Sequence, residues 1–274
     1  MTPVMSRQPG DETANMPDNG ERGSVDGPSS ELEHVSEERI LDLLLHGDLT
    51  LQGLVPWSSN YTFLVMVEGA EMQALAVYKP ARGEQRLWDF PASTLCRREV
   101  AAYLLSRVLG WPAIPPVLLR EGPEGLGSVQ FFVHTDWEEH FFTLREDPAH
   151  DTALRQMAVF DYVVNNADRK GGHVIKGQDG RLWAIDHGLT FHVDYKLRTV
   201  IWDYAGETIP ATWMADLRRL RQTLTDDSTI VDALLELIER KELVALRQRV
   251  ATVLRRGVYP RPRRDWRNVP YPLV

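Results

Sequence analysis

The chain has 274 residues, 43% of them hydrophobic, which is enough for one large domain or two small ones around a sizeable core. Its single cysteine, Cys96, excludes an internal disulfide and a cysteine-built zinc cage, and no apolar run approaches the roughly 20 residues of a membrane helix. The formal charge of -8 sits mostly at the N-terminus, where residues 1–38 carry nine acidic and two basic side chains; the nearly neutral remainder has no broad basic field for nucleic acid.

Residues 1–35 are rich in Gly, Pro, Ser, Asp and Glu and poor in aromatics, a composition that cannot bury enough surface to offset ordering entropy. A disordered acidic tail is expected there, with no secretory signal and a cytoplasmic location. Ordered structure is expected to begin with "SEERILDLLLHG", where Ser36 can cap a helix, Ile40, Leu43 and Leu44 share one face, and Gly47 stops it. The stretches "LTLQGLV", "YTFLVMVEG" and "MQALAVYKP" follow as strands separated by "PWSSN" and "GAE", which predicts an antiparallel meander. The pattern "RREVAAYLLSRVLG" has helical spacing at Val100, Tyr103, Leu104 and Val108 and ends at Gly110; "PPVLLREG" and "GSVQFFVH" form another hairpin.

Beyond residue 133 the character changes. "TALRQMAVFDYVVNNA" predicts a helix with Leu154, Met157, Phe160 and Val164 on its apolar stripe, and "HVIKGQDGRLWAID" a hairpin turning at Gln178, Asp179 and Gly180. Three helices come next, in "TWMADLRRLRQTL", "DSTIVDALLELIERKE" and "LVALRQRVATVLRR". The expected architecture is α+β and bilobal: a β-rich N-lobe over residues 36–133, a mainly helical C-lobe over 134–257 and a cleft between them, with a Pro/Arg-rich tail over 258–274.

Phosphoryl transfer needs a cation on the nucleotide phosphates, acidic ligands for Mg²⁺ and a carboxylate beside the attacking hydroxyl. Lys79 ends the strand "ALAVYKP" and Glu99 opens the helix "REVAAYLL", so an ion pair between them would fix the lysine. Asp168 follows an apolar helix and Asp186 follows the strand "RLWAI"; because they flank one hairpin, their carboxylates come to the same edge. Taken singly, each has an ordinary explanation as a strand end, a first-turn acid or a turn aspartate. The ordered combination is rarer.

In this order "AVYKP", "REVAAYLL", "DYVVNNADRKGGHVIK" and "AIDHGLTF" resemble the phosphatidylinositol 3-/4-kinase-like superfamily, closest to the type II phosphatidylinositol 4-kinases and their small bacterial relatives. The resemblance covers roughly residues 48–210, including "IWDYAGETIP". It implies a protein-kinase-like fold, ATP with Mg²⁺ or Mn²⁺ as cofactors, and transfer of the γ-phosphoryl group to a hydroxyl acceptor: lipid, protein or small molecule. By the same resemblance Lys79 contacts the α/β-phosphates and Glu99 orients it. Asp168 is the catalytic carboxylate with Arg169 as its partner in the "DR" pair, and Asp186 is a metal ligand. Ser58, Ser59 and Asn60 lie where a loop covers the phosphates, with a plain polar hairpin as the alternative. Position 173 departs from the kinase pattern, holding His173 where a metal-binding Asn belongs. Imidazole suits Mn²⁺ or Zn²⁺ better than Mg²⁺, so His173 is expected to bind metal, contact phosphate or pack. Two rivals keep the fold: a nucleotide-binding pseudokinase acting as scaffold or sensor, and a nucleotidyl transferase.

Among the other histidines, His134 is expected near the interlobe hinge and His187 in packing, while His192 has no partner evident in sequence. The six arginines between Arg255 and Arg267, interleaved with Tyr259 and Trp266, are expected to dock on their own domain or stay solvated, with anionic lipid or nucleic acid as the alternative.

Overall fold

The computed structural model describes residues 35–55, 60–225 and 228–274, so the acidic tail, apart from Val35, and the turn residues Ser58 and Ser59 lie outside the described residues. Helix α1 (Glu37–His46) starts as expected. The Ser36 hydroxyl accepts the Arg39 N–H at 3.4 Å, Glu37 and Glu38 occupy the first turn where the helix dipole favours them, and the chain leaves through Gly47. The helix buries Ile40, Leu43 and Leu44 in a small core with one face of an antiparallel sheet. That sheet consists of β1 (Asp48–Leu54), β2 (Phe63–Glu68), β3 (Gln73–Pro80), β4 (Val117–Gly122) and β5 (Gly125–Phe131), in the spatial order β1, β2, β3, β5, β4.

Strand β3 fixes the first functional position by its two-residue period. Ala74, Ala76 and Tyr78 point into the core shared with α1, so Lys79 emerges on the opposite face. That face meets α2 (Leu95–Leu109), which begins two residues earlier than the apolar spacing indicated and ends at Gly110 in a left-handed conformation (φ 83°) that glycine adopts without a Cβ clash. Because of the earlier start, Glu99 sits beyond the first turn. Helix α2 is buried almost all round, and its two charged residues at 1% and 3% exposure are tolerated because both are paired. Arg98 reaches Glu242 at 2.7 Å and the Thr190 carbonyl at 2.6 Å, and Glu99 reaches Lys79.

The second half contains α3 (Phe141–Leu144), α4 (Asp151–Val164), the hairpin of β6 (Val174–Lys176) and β7 (Leu182–Ala184), then α5 (Ala211–Thr223), α6 (Thr229–Leu237) and α7 (Arg240–Arg256). The helix expected to run through Glu242 breaks instead at Ile238, which is extended. There the Glu239 N–H donates to the Glu242 carboxylate at 2.9 Å in a reciprocal cap, and Glu242 is held by Arg98, so a new helix starts. No helix among the described residues is long and apolar enough to cross a membrane.

The C-terminal segment docks on the helical half, as expected. Tyr259 is buried and exchanges backbone hydrogen bonds with Gly206 and Glu207, the Asn268 carbonyl accepts from the Thr199 N–H and the Trp202 indole, and the Leu273 carbonyl accepts from the Gly171 N–H at 2.7 Å. Its last residues therefore lie against the loop that carries Asp168.

Candidate active site

Four of the residues singled out in the sequence converge between the sheet and the helical half. Lys79 Nζ lies 2.7 Å from Glu99 Oε1 and 3.1 Å from Asp186 Oδ1. Burial opposes the Lys79 ammonium, but Asp186 and Glu99 outweigh it and hold the pKa above the ordinary lysine range. Burial also works against an ionised Asp186, and here Lys79 prevails, so this carboxyl stays well below the usual carboxylate range. Glu99 uses its other oxygen to accept the His187 N–H at 2.8 Å, which ties α2 to the exit of β7. Asp186 itself is left-handed (φ 58°), a conformation that costs a non-glycine residue free energy and is retained where the surroundings over-determine it.

Asp168 is placed by the loop after α4. That helix ends at Asn165, also left-handed (φ 57°), whose side chain donates to the His192 and Asp194 carbonyls and accepts the Lys196 N–H. The Asn166 carboxamide accepts the Asp168 N–H at 3.0 Å and donates to Asp161. The Asp168 side chain is 27% exposed and lies 3.3 Å from Lys170 Nζ. Burial pushes its pKa up to about 6, with Lys170 opposing and Asp186 reinforcing. A carboxyl at that value is ionised at neutral pH yet close enough to accept a proton.

Arg169, expected to share in catalysis with Asp168, is placed in the interior behind that residue. Its guanidinium is wholly buried, bonded to both oxygens of Asp161 at 3.0 to 3.2 Å, to the His173 and Ile185 carbonyls and, at 2.7 Å, to His187 Nε2. Burial and then the Arg169 charge hold His187 well below the ordinary histidine pKa, so its neutral ring accepts this bond. Arg169 thus locks the loop, the hairpin and α4 together and is not among the described residues that line the cleft. Sequence periodicity offered one clue to this network: Asp161 lies on α4 beside the buried Phe160 and one turn after Met157, where a charge demands a partner.

His173 stands beside Asp186, with Nε2 3.2 Å from Oδ2, and its Nδ1 accepts the Lys170 N–H at 3.4 Å. Burial lowers its pKa to about 4, so the ring is neutral and its single proton lies on Nε2, donated to Asp186. Both of its nitrogens are hydrogen-bonded in this arrangement, as are both oxygens of Asp186. Asn60 lines the cleft together with Glu84, and its side-chain oxygen accepts the Gln85 N–H at 2.6 Å. The cleft opens to solvent and is also walled by Lys79, Glu99, Asp168 and Asp186. Among the described residues no group of three or more His, Cys, Asp or Glu side chains forms a ready metal cage.

Elsewhere, His134 stacks edge-on against Phe132, and His192, for which the sequence indicated no partner, bonds the Asp89 carbonyl and the Asp194 N–H. Cys96 is buried with its thiol pushed up to about 12, in keeping with a packing role.

No protein-family model matches the chain. It is 37% identical over 263 residues to Protein Rv2133c of Mycobacterium tuberculosis, an alignment covering 84% of this chain and 94% of that protein. It is 30% identical over 126 residues to Phosphatidylinositol 4-kinase gamma 4 of rice, Oryza sativa subsp. japonica, covering 39% of this chain and only 22% of the rice protein. Among solved structures it superimposes on the Helicobacter pylori proinflammatory kinase CtkA with a TM-score of 0.51 over 79% of this chain and 94% of that one; the 11% identity speaks for the fold alone. The bilobal, protein-kinase-like α+β fold expected from the motifs is the fold of this chain. With its motifs in order, its lobes arranged around one cleft and a near full-length relative, the chain belongs to the family of Protein Rv2133c, within the phosphatidylinositol 3-/4-kinase-like superfamily.

Proposed function

We propose that the protein is an ATP-dependent phosphotransferase that moves the γ-phosphoryl group to a hydroxyl acceptor. The observation that carries this reading is the meeting at one cleft of a lysine paired with a buried glutamate and two carboxylates of opposite character, Asp186 held ionised and Asp168 raised to about 6. In this role Lys79 neutralises charge on the α/β-phosphates, and Asn60 lines the cleft on the same side. Asp186 would hold Mg²⁺, an ion that rarely sits in an all-protein cage. Such an ion, when bound, would supply charge neutralisation on the phosphates. His173 acts as a positioning residue, aiming Asp186 through its Nε2 proton, and Arg169 holds the loop.

Asp168 orients the acceptor hydroxyl. The hydroxyl oxygen bonds to the γ-phosphorus as the bond to the β–γ bridging oxygen breaks, the hydroxyl proton passes to Asp168, and ADP leaves with the electron pair. Rate enhancement comes mostly from positioning and electrostatics. The test uses ATP labelled at the α or the γ position, with Mg²⁺ and then Mn²⁺. Transfer of the γ label by the native protein, lost in Asp168→Asn while ATP still binds, is the expected result. Transfer of the α label would make the protein a nucleotidyl transferase, and binding without transfer of either would make it a scaffold.

A further inference from the structure

A second charged group stands beside Asp168 and has no part in the chemistry above. The Arg198 N–H donates to the Asn166 carbonyl at 2.9 Å, the Arg198 carbonyl accepts the Arg169 N–H at 3.0 Å, and the Val200 N–H donates to the Arg169 carbonyl at 3.1 Å. These bonds make a parallel bridge that pairs Arg169 with Thr199. Residues opposite each other across such a bridge share a side, and their chain neighbours take the other. Arg169 and Thr199 both turn inward to Asp161, at 3.0 and 3.3 Å. Asp168 and Arg198, one step back on each segment, therefore share the outward side, and the Arg198 charge is one of those opposing the burial that raises Asp168.

The neighbouring cations each have a carboxylate: Lys170 has Asp168, Lys196 has Asp89 at 2.9 Å and Arg169 has Asp161. Arg198 has none within ion-pair distance among the described residues, and its Nε is buried without a hydrogen-bond partner. Its guanidinium instead lies 5.3 Å from the centroid of the Trp266 ring, which the docked C-terminal segment supplies and which Tyr195 braces edge-on. The Trp266 indole N–H is likewise buried and unbonded. An aromatic face holds a guanidinium fork without neutralising it, and a half-buried, unneutralised fork fits an oxyanion bidentately.

We propose that Arg198, backed by Trp266, is an anion subsite for the acceptor: the molecule phosphorylated carries a phosphate or carboxylate group that sits on the Arg198 fork while its hydroxyl faces Asp168. This rests on the transfer reading above, and it makes the C-terminal segment part of the acceptor site.

The test uses the full chain labelled with ¹⁵N-arginine and titrated with inorganic phosphate, read at the Arg198 Nε–H signal and at the Trp266 indole. Lys79→Met serves to remove phosphate binding at the nucleotide side. A saturable shift is expected in the native protein and in Lys79→Met, weakened about tenfold or more in Arg198→Lys, the scale of one lost charge-assisted pair. Trp266→Leu weakens it too. No saturable shift in the native protein, or equal affinity in Arg198→Lys, overturns the subsite, and the native titration does so regardless of how the variants fold. If phosphate saturates Arg198 but no γ label is ever transferred, the transfer reading fails and the acceptor assignment with it; if transfer is intact and Arg198 is blind to phosphate, the subsite alone fails. Glycerol 3-phosphate and phosphatidylinositol in phosphatidylcholine vesicles, run as separate titrants, separate a soluble source of the anion from a lipid headgroup.

Discussion

Replacing Asp168 with Asn should stabilise the protein while removing transfer, a combination that marks a carboxylate kept for chemistry at a cost to folding. Burial raises Asp168 from 3.8 to about 6. A folded-state pKa above the unfolded one means that the protonated form is favoured by folding, so its contribution is full below 3.8 and is lost as pH rises through 6. Ionised Asp168 therefore costs the folded state about 3 kcal/mol at pH 8, trimmed to between about 1 and 3 because 27% of the side chain remains exposed. The Lys170 contact is already contained in that net shift, so the expected gain for Asp168→Asn is about 1 to 3 kcal/mol at pH 8, shrinking toward zero near pH 4. Urea denaturation of both proteins across that range measures it, since other titrating groups cancel in the difference. The same group predicts that transfer falls as pH drops through about 6, because protonated Asp168 cannot accept the hydroxyl proton. A variant that is equally or less stable at pH 8, or a difference independent of pH, would refute the argument that burial of this carboxylate dominates.

Arg169→Met should cost about 3 to 5 kcal/mol in urea denaturation by leaving Asp161 buried and unpaired, and a loss below about 1 kcal/mol would remove the lock assigned to it. Lys79→Met should abolish ATP binding by calorimetry and lower the unfolding midpoint through the orphaned Glu99, 4% exposed; adding Glu99→Gln should recover part of the midpoint but none of the binding. Truncation after Gly257 should expose the surfaces that bury Tyr259 and free the amides of Gly171, Thr199 and Gly206, seen as faster hydrogen exchange at those three sites. Unchanged protection there would mean that the segment docks without bracing the loop.

Lys79, Glu99, Asp168 and Asp186 were legible in the sequence because each is placed by short-range rules. Strand alternation turns Lys79 away from the core that holds Tyr78, an apolar helix delivers Asp168, and one hairpin carries Asp168 and Asp186 to a common edge. Motif order did the rest, since an isolated lysine or aspartate has ordinary explanations. Local patterns failed at the join of α6 and α7, where helical spacing continues but the reciprocal cap of Glu239 and Glu242, and an ion pair from Arg98 across 144 positions, restart the helix.

What the sequence determined alone is therefore the lobed order of elements and the residues that reach one cleft. Tertiary structure decided what each can do there. Arg169 carries the same charge as Lys79, yet one is sealed around Asp161 and the other opens on the cleft. Asp168 and Asp186 are the same residue type, yet burial lifts the first toward neutral pH and Lys79, 107 positions away from Asp186, holds the second ionised. Arg198 and Trp266 meet only because the C-terminal segment folds back along the loop that carries Asp168. Charge state and exposure depend on what is near in space, and the spacing of residues along the chain does not encode that distance.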